Sequence, residues 1–353
     1  ATKGVIQNGI VRVYLINEHD GVMKADPYPY GIAVRTNSEG RFKIGVPNSF
    51  NAQSLMLRLT ADNNTEMVCD ILSGCKDAKS GELVLFGSSF KPDDELMMTT
   101  IVTNLDQKST NFAHISPLSH LANARAEGME GGLTTDNILD SYEYVEKIMG
   151  LEANALQLYL PDITKLDSME AGANQSELKT AIMSAAFLGL LNSPDWNGIA
   201  EILDHAANRI KHSGAITATN MGALPEVTLD DVFYYAIEIS QGLAEIQKSS
   251  PIISQLNSIA SDVQAANDLI ALAPEIIDPV MIVSQPLSVT AEVDSFASFS
   301  VIAIGGGDID YQWRKDGEVI QGANDSNFEI LQAKGSDQGI YDVIVSNDVG
   351  SLI

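Results

Sequence analysis

Residues 334–350 read KGSDQGIYDVIVSNDVG. Gly335-Ser336-Asp337 is turn chemistry, and from Tyr341 the apolar residues Tyr341, Val343 and Val345 alternate at the two-residue period of a strand with one buried face. Asn347-Asp348 and Gly350 close the stretch with a second turn. Some twenty residues upstream, Tyr311-x-Trp313 runs into Lys315-Asp316-Gly317, a second strand ending in an Asp-Gly hairpin turn. Each strand carries one apolar row, so the two need a facing layer to bury it.

The residues around this pair, PVMIVSQPLSVTAEVDSFASFSVIAIGGGDIDYQWRKDGEVIQGANDSNFEILQAKGSDQGIYDVIVSNDVG, resemble the bacterial Ig-like modules related to the I-set. The resemblance covers 279–353 and implies a β-sandwich in which Trp313 is the core tryptophan of the third strand. It makes Tyr341 the tyrosine corner leading into the sixth strand, and it puts Val301 and Val343 where secreted sandwiches carry the inter-sheet cystine. Two valines fill that space by packing. It also implies a seventh strand after Asp348-Val349-Gly350. Only Ser351-Leu352-Ile353 follow, so the final strand is expected to be short or incomplete. Either the sequence is a fragment of a longer, multi-module protein, the favoured reading, or the final strand's neighbour is open to a strand from elsewhere, such as Ala1–Ile6 of another copy. A proline-punctuated linker, ALAPEIIDP, precedes the module.

The first hundred residues also alternate with the period of strands. Val11, Val13 and Leu15 share one face of GIVRVYLIN, Leu55, Leu57 and Leu59 one face of SLMLRLT, and Leu83 and Leu85 one face of GELVLF. QNG at 7–9 and NSEG at 37–40 supply turns, and the sum is a small antiparallel β-sandwich over 1–110. KGVIQNGIVRVYLI followed by RTNSEGRFKIGV resembles the prealbumin-like module related to the carboxypeptidase regulatory domain. Thr36, Gly40 and Phe42 match its T-x-x-x-G-x-F/Y element. That family implies a non-catalytic spacer or binding domain on a secreted or surface protein.

From about residue 112 the period becomes helical, giving a bundle of five or six helices over 111–274. Asp195-Trp196 is expected to open a helix with the stripe Ile199, Ile202, Leu203, Ala206 and Ile210, closed by Gly214. Thr228 caps another, with Asp231 at its third position. The apolar stretch 177–191 is expected to be the most buried helix. The join HISPLSHLANARAEG (114–128) resembles a segment of large bacterial surface lipoproteins, where a prealbumin-like domain meets a "TPLT-x-L-A" stretch and a helical region. The match implies surface location more than mechanism. The fold class is therefore multi-domain, β then α then β.

Composition narrows the function. The 353 residues carry 21 basic and 47 acidic side chains, a net charge of −26, which repels phosphate backbones and anionic lipid surfaces. Nucleic-acid partners are excluded on that ground. No apolar run reaches the length of a membrane span, the longest being AIMSAAFLGLL at 181–191. An exported chain of this kind is expected to have lost its signal peptide already. Cys69 and Cys75 in VCDILSGC have neither CxxC spacing nor partner histidines. They form either a small disulfide loop, contributing about 2 kcal/mol, or two buried thiols, and the extracellular character of the chain favours the disulfide.

The five histidines make no ligand set: His114 and His120 flank the join, and His205 and His212 stand two turns apart on a helix. Glu201 and His205 are spaced for a surface contact. No nucleophile elbow, HExxH, P-loop or dinucleotide glycine pattern occurs. Gly305-Gly306-Gly307 links two strands, and calcium at Asp308 and Asp310 is the one metal reading, without D-x-D-x-D-G spacing behind it. Tyr28, Tyr30, Tyr142, Tyr144, Tyr234 and Tyr235 serve either as core residues or as a sugar-stacking face. The expectation is an extracellular or cell-surface structural or adhesion protein, a filament or matrix building block rather than an enzyme. Its partners would be proteins or its own copies, meeting along sandwich edge strands. The alternative is a glycan-binding accessory protein.

Overall fold

The computed structural model describes residues 5–45, 54–77, 79–105, 110–168, 174–193, 195–218, 225–272, 280–304, 309–347 and 351–352. The linker 273–279, Gly305–Gly307, Asp308 and Asp348–Gly350 lie outside the described residues. The chain divides into two compact units, one of Ala1–Gly214 with Thr219–Leu269, the other of Ala215–Ala218 with Ile270–Ile353. The strands expected at 1–110 and the helices expected at 111–274 thus share most of one unit.

In the first unit, all strand pairing between named strands is antiparallel. Met97–Thr103, Ser54–Thr60, Ile10–His19 and Val22–Ala25 lie in that order, with Tyr30–Arg35 also paired to Ile10–His19. A smaller sheet runs Ile6–Gln7, Glu66–Val68, Ser89–Phe90. Thr36, the threonine of the T-x-x-x-G-x-F element, is buried, donates to the Ile6 carbonyl (2.6 Å) and accepts from the Gly9 amide (2.9 Å). The central strand departs from simple alternation. Leu55, Leu57 and Leu59 are buried as expected, and so is Met56 between them. Cross-strand register puts Met56 on one face with Tyr14 and Ile101, and all three are buried. Such a sheet is covered on both faces.

Six α-helices are found among the described residues: α1 (Pro117–Gly128), α2 (Thr135–Ile148), α3 (Gln175–Gly189), α4 (Ile199–Ser213), α5 (Leu229–Ile246) and α6 (Ser250–Leu272). Thr228 caps α5 by accepting from the Asp231 amide at 3.1 Å, and Gly214 ends α4 at a φ of 80°. Helix α3 buries nearly every residue from Leu178 to Gly189. The expected start of α4 is corrected. Asp195-Trp196 does not open it. It begins at Ile199 behind Gly198, which has no side chain to cap with.

The second unit is an Ig sandwich. One layer is Met281–Ser284 with Ile302–Ile304, and Ala297–Ser300 with Asn327–Ile330. The other runs Glu318–Val319, Asp310–Lys315, Tyr341–Ser346, Ser351–Leu352. Trp313 is fully buried in a cluster with Val280, Val301, Ala323, Val343 and Val345, and its indole N–H donates to the Asp325 carbonyl at 2.9 Å. Val343 is its direct cross-strand neighbour. Removing that indole opens a cavity costing about 3–5 kcal/mol, a large share of a small domain's stability. Trp313→Ala is therefore expected to abolish the calorimetric transition of the Ig unit and leave that of the first unit in place. One transition shifted as a whole would contradict the division.

Candidate functional site

The densest polar chemistry in the first unit is buried, at the seam between strand Met97–Thr103 and helices α1 and α2. As the outermost strand of its sheet, Met97–Thr103 has one row of backbone groups without a strand partner, and burial makes each of them costly. Helix α1 meets this demand with its own N-terminus. Ser116 accepts from the Ser119 amide (3.1 Å), Ser119 accepts from the Ser116 amide (3.0 Å), and the Ser119 hydroxyl donates to the Thr99 carbonyl (2.8 Å). One turn further on, Asn123 donates to the Thr99 hydroxyl (2.9 Å) and accepts from Tyr142 of α2 (3.2 Å). The Tyr142 oxygen in turn accepts from the Ile101 amide at 3.0 Å.

His120 completes the seam, its Nδ1 lying 3.1 Å from the Thr99 hydroxyl. Burial, with the Arg58 cation as a lesser cause, lowers its pKa to about 4 and keeps the imidazole neutral near pH 7. Burial also pushes the Tyr142 hydroxyl upward. All of these side chains are buried. The arrangement fixes strand Met97–Thr103 against α1 and α2.

Two further contacts bind strands to helices. Asp93, from the loop before strand Met97–Thr103, supplies the cap that Gly198 cannot: its Oδ2 accepts from the Ala200 amide at 3.2 Å. Burial raises its carboxyl above the usual range, against the pull of the helix amides. Cys69 and Cys75 are joined by a disulfide, with Cα atoms 5.6 Å apart. The loop between them reaches the helices, where Ser73 accepts from the Asn192 amide group at 3.0 Å.

Of the residues singled out by sequence, Trp313, Val301 and Val343 lie together in the Ig core, and the Tyr341 hydroxyl donates to the Asp337 carbonyl at 2.7 Å, as a tyrosine corner does. Asp310 is exposed on its strand, and its companion Asp308 is outside the described residues. Among the described residues no three His, Cys, Asp or Glu side chains are placed to hold a metal. His205 lies on the polar side of α4 with exposed Glu201, Asp204, Asn208 and His212, and is half-buried edge-on to Trp196, ring centroids 5.2 Å apart. Its expected partner Glu201 accepts instead from the Asn197 amide.

The tyrosines separate: Tyr142 is buried in the seam, Tyr144 lies beneath the Arg125 guanidinium, and Tyr235 packs on Gly189. Tyr28 and Tyr234 are exposed. Of the segment Ala1–Ile6, Val5 and Ile6 are buried in their own sandwich, with Ile6 paired to Met67, and residues 1–4 lie outside the described residues.

Local sequence signals barely mark the seam. Its partners are 19 to 42 positions apart, and only Ser116-x-x-Ser119 is visible as a capping pattern.

Residues 280–352 match the immunoglobulin I-set domain family. No curated protein matches the chain. Among solved structures, the chain is similar to a twitchin kinase fragment of C. elegans with autoregulated kinase and immunoglobulin domains, at 13% identity. The match covers 78% of this chain and 61% of that one, with a TM-score of 0.22. The twitchin kinase region of the same organism gives 14% identity over 78% of this chain and 48% of that one, with a TM-score of 0.22. The chain thus spans about half to three fifths of their length.

The seam has a pH signature. Between pH 6.5 and about 4 the unfolded chain protonates its histidine while folded His120 stays neutral. Stability therefore falls as the pH drops through that window, by about 3 kcal/mol in all. The raised carboxyls of Asp93, Glu146 and Asp231 act in the opposite sense, gaining with acid. Urea midpoints of the first unit at pH 7 and pH 4.5, compared between the native chain and His120→Gln, isolate the histidine. The native chain is expected to lose more than the variant, and equal losses would refute a neutral buried imidazole.

Proposed function

We propose that this chain is an extracellular structural or adhesion protein that works through surfaces and carries out no catalysis. The carrying observation lies on the I-set unit. Continuing the register of Ala297–Ser300 with Asn327–Ile330 by one step sets Phe296 opposite Leu331, and these side chains are 54% and 74% exposed. Val293, in the turn leading to Phe296, is exposed as well. Two large apolar side chains paired on an outer sheet face cost solubility and mark a surface that meets a partner. In the first unit, strand Tyr30–Arg35 is paired along one side only among the described residues, with Ile32 fully open to solvent. Such an edge supports pairing with another chain.

An extracellular setting is supported by the Cys69–Cys75 disulfide. It is compatible with the observation that no helix among the described residues is long and apolar enough to cross a membrane. The order of elements, and the work done by Thr36, support a prealbumin-like module at 1–110 and a bacterial surface protein as the whole. Partners are proteins, including further copies of this chain, and the acidic surface keeps nucleic acid away.

Light scattering after size exclusion, from micromolar to millimolar chain and with and without calcium, tests this reading. The native chain is expected to associate as concentration rises, and Phe296→Ser with Leu331→Ser to remain monomeric. A native chain that stays monomeric throughout would end the self-assembly part of the reading. A calcium-dependent change lost in Asp310→Asn would restore a metal to it.

A further inference from the structure

The Cys69–Cys75 loop is anchored at its base and committed at its tip. At the base, the Cys69 amide donates to the Ser88 carbonyl, the Cys69 carbonyl accepts from the Gly87 amide, both at 2.8 Å, and Cys75 pairs with Val84. At the tip, Ile71 is buried, Ser73 is held by Asn192 in the turn after α3, and Leu72 lies on α5 at Gly242. The approach to Gly242 is so close that a Cβ there would stand 2.3 Å from Leu72 Cδ1. Both sulfurs are buried, Cys69 fully and Cys75 to within 2%. A thiol can reach them only when the loop lifts from the helices.

We infer that this loop is a redox-coupled latch between the sandwich and helix α5. With the disulfide closed, the five residues between the cysteines, Asp70–Gly74, are short enough to hold Leu72 and Ser73 against the helices. A dithiol reductant opens it in two steps. Its thiolate attacks one sulfur to form a mixed disulfide, and its second thiolate displaces that cysteine. Two electrons and two protons then reside on Cys69 and Cys75, and the reductant leaves as its own cyclic disulfide. The freed loop no longer holds its tip, and α5 and the turn Leu190–Asn192 loosen. The coupling is reciprocal: whatever docking contributes to keeping the disulfide shut, the shut disulfide contributes to docking.

Dithiothreitol is the probe, applied to the full chain under native conditions. In the oxidised protein, Gly242→Ala is expected to raise the rate of reduction about tenfold by pushing Leu72 off its seat, although helix propensity alone favours alanine. In a Leu72→Ala background the same substitution is expected to change nothing, since the two act through one contact. On reduction, amide exchange is expected to quicken in α5 and at residues 190–193 while α2 stays protected. Equal reduction rates for the native chain and Gly242→Ala would overturn the latch. So would unchanged exchange in α5 on reduction, or loss of protection across the whole unit.

Discussion

The first unit depends on one constraint: an edge strand that is buried must have its outward backbone groups satisfied. Met97–Thr103 is that strand, and the groups in question include the Thr99 carbonyl and the Ile101 amide. A further sandwich strand could have met them but would have passed the same problem outward. Helices end it, because their own backbones are closed and only side chains and caps face the edge. Ser119 and Tyr142 each use a hydroxyl for this while serving their own helices or neighbours. Truncating either would leave a buried group of the strand without its partner, at about 1–3 kcal/mol.

The same logic extends to the rest of the interface. Helix α4 has no cap of its own, and a carboxylate from the sandwich provides one, worth about 1 kcal/mol. The loop of α1 and α2 repays the sheet at its other side. Met23 of strand Val22–Ala25 donates to the Gly131 carbonyl and accepts from the Leu133 amide, at 2.9 and 2.8 Å. Strands and helices here are therefore not modules placed in series. Each finishes hydrogen bonding that the other leaves undone, which explains why they form one unit while the Ig sandwich, complete in its own core, forms another.

What could be read from the sequence follows from the range over which its signals act. The Ig fold announces itself locally, since Trp313, Tyr341 and the Asp-Gly turn lie within single strands or their turns. The helical stripes and the Thr228 cap are equally local. The start of α4 was misplaced because its cap lies 107 positions earlier in the chain. His120 looked like one of a flanking pair, and nothing adjacent to it suggests Thr99 as its neighbour. Met56 alternates with Leu55 and Leu57 onto the opposite face, and its burial depends on what packs there. The exposed pair Phe296 and Leu331 was not anticipated either, because which face of a strand stays open depends on what packs there.

Val301 and Val343 have a consequence for how the chain is made. A sandwich closed by two valines needs no oxidant to finish its core, so it can reach its native state as soon as its strands are synthesised. The first unit carries its cystine in a loop that must be seated against helices contributed later in the chain. The seating of that loop, as distinct from the fold of the unit, therefore waits on both synthesis and thiol oxidation. A reductant can thus reach the core of neither sandwich directly, and acts on this chain only through the seat of one loop.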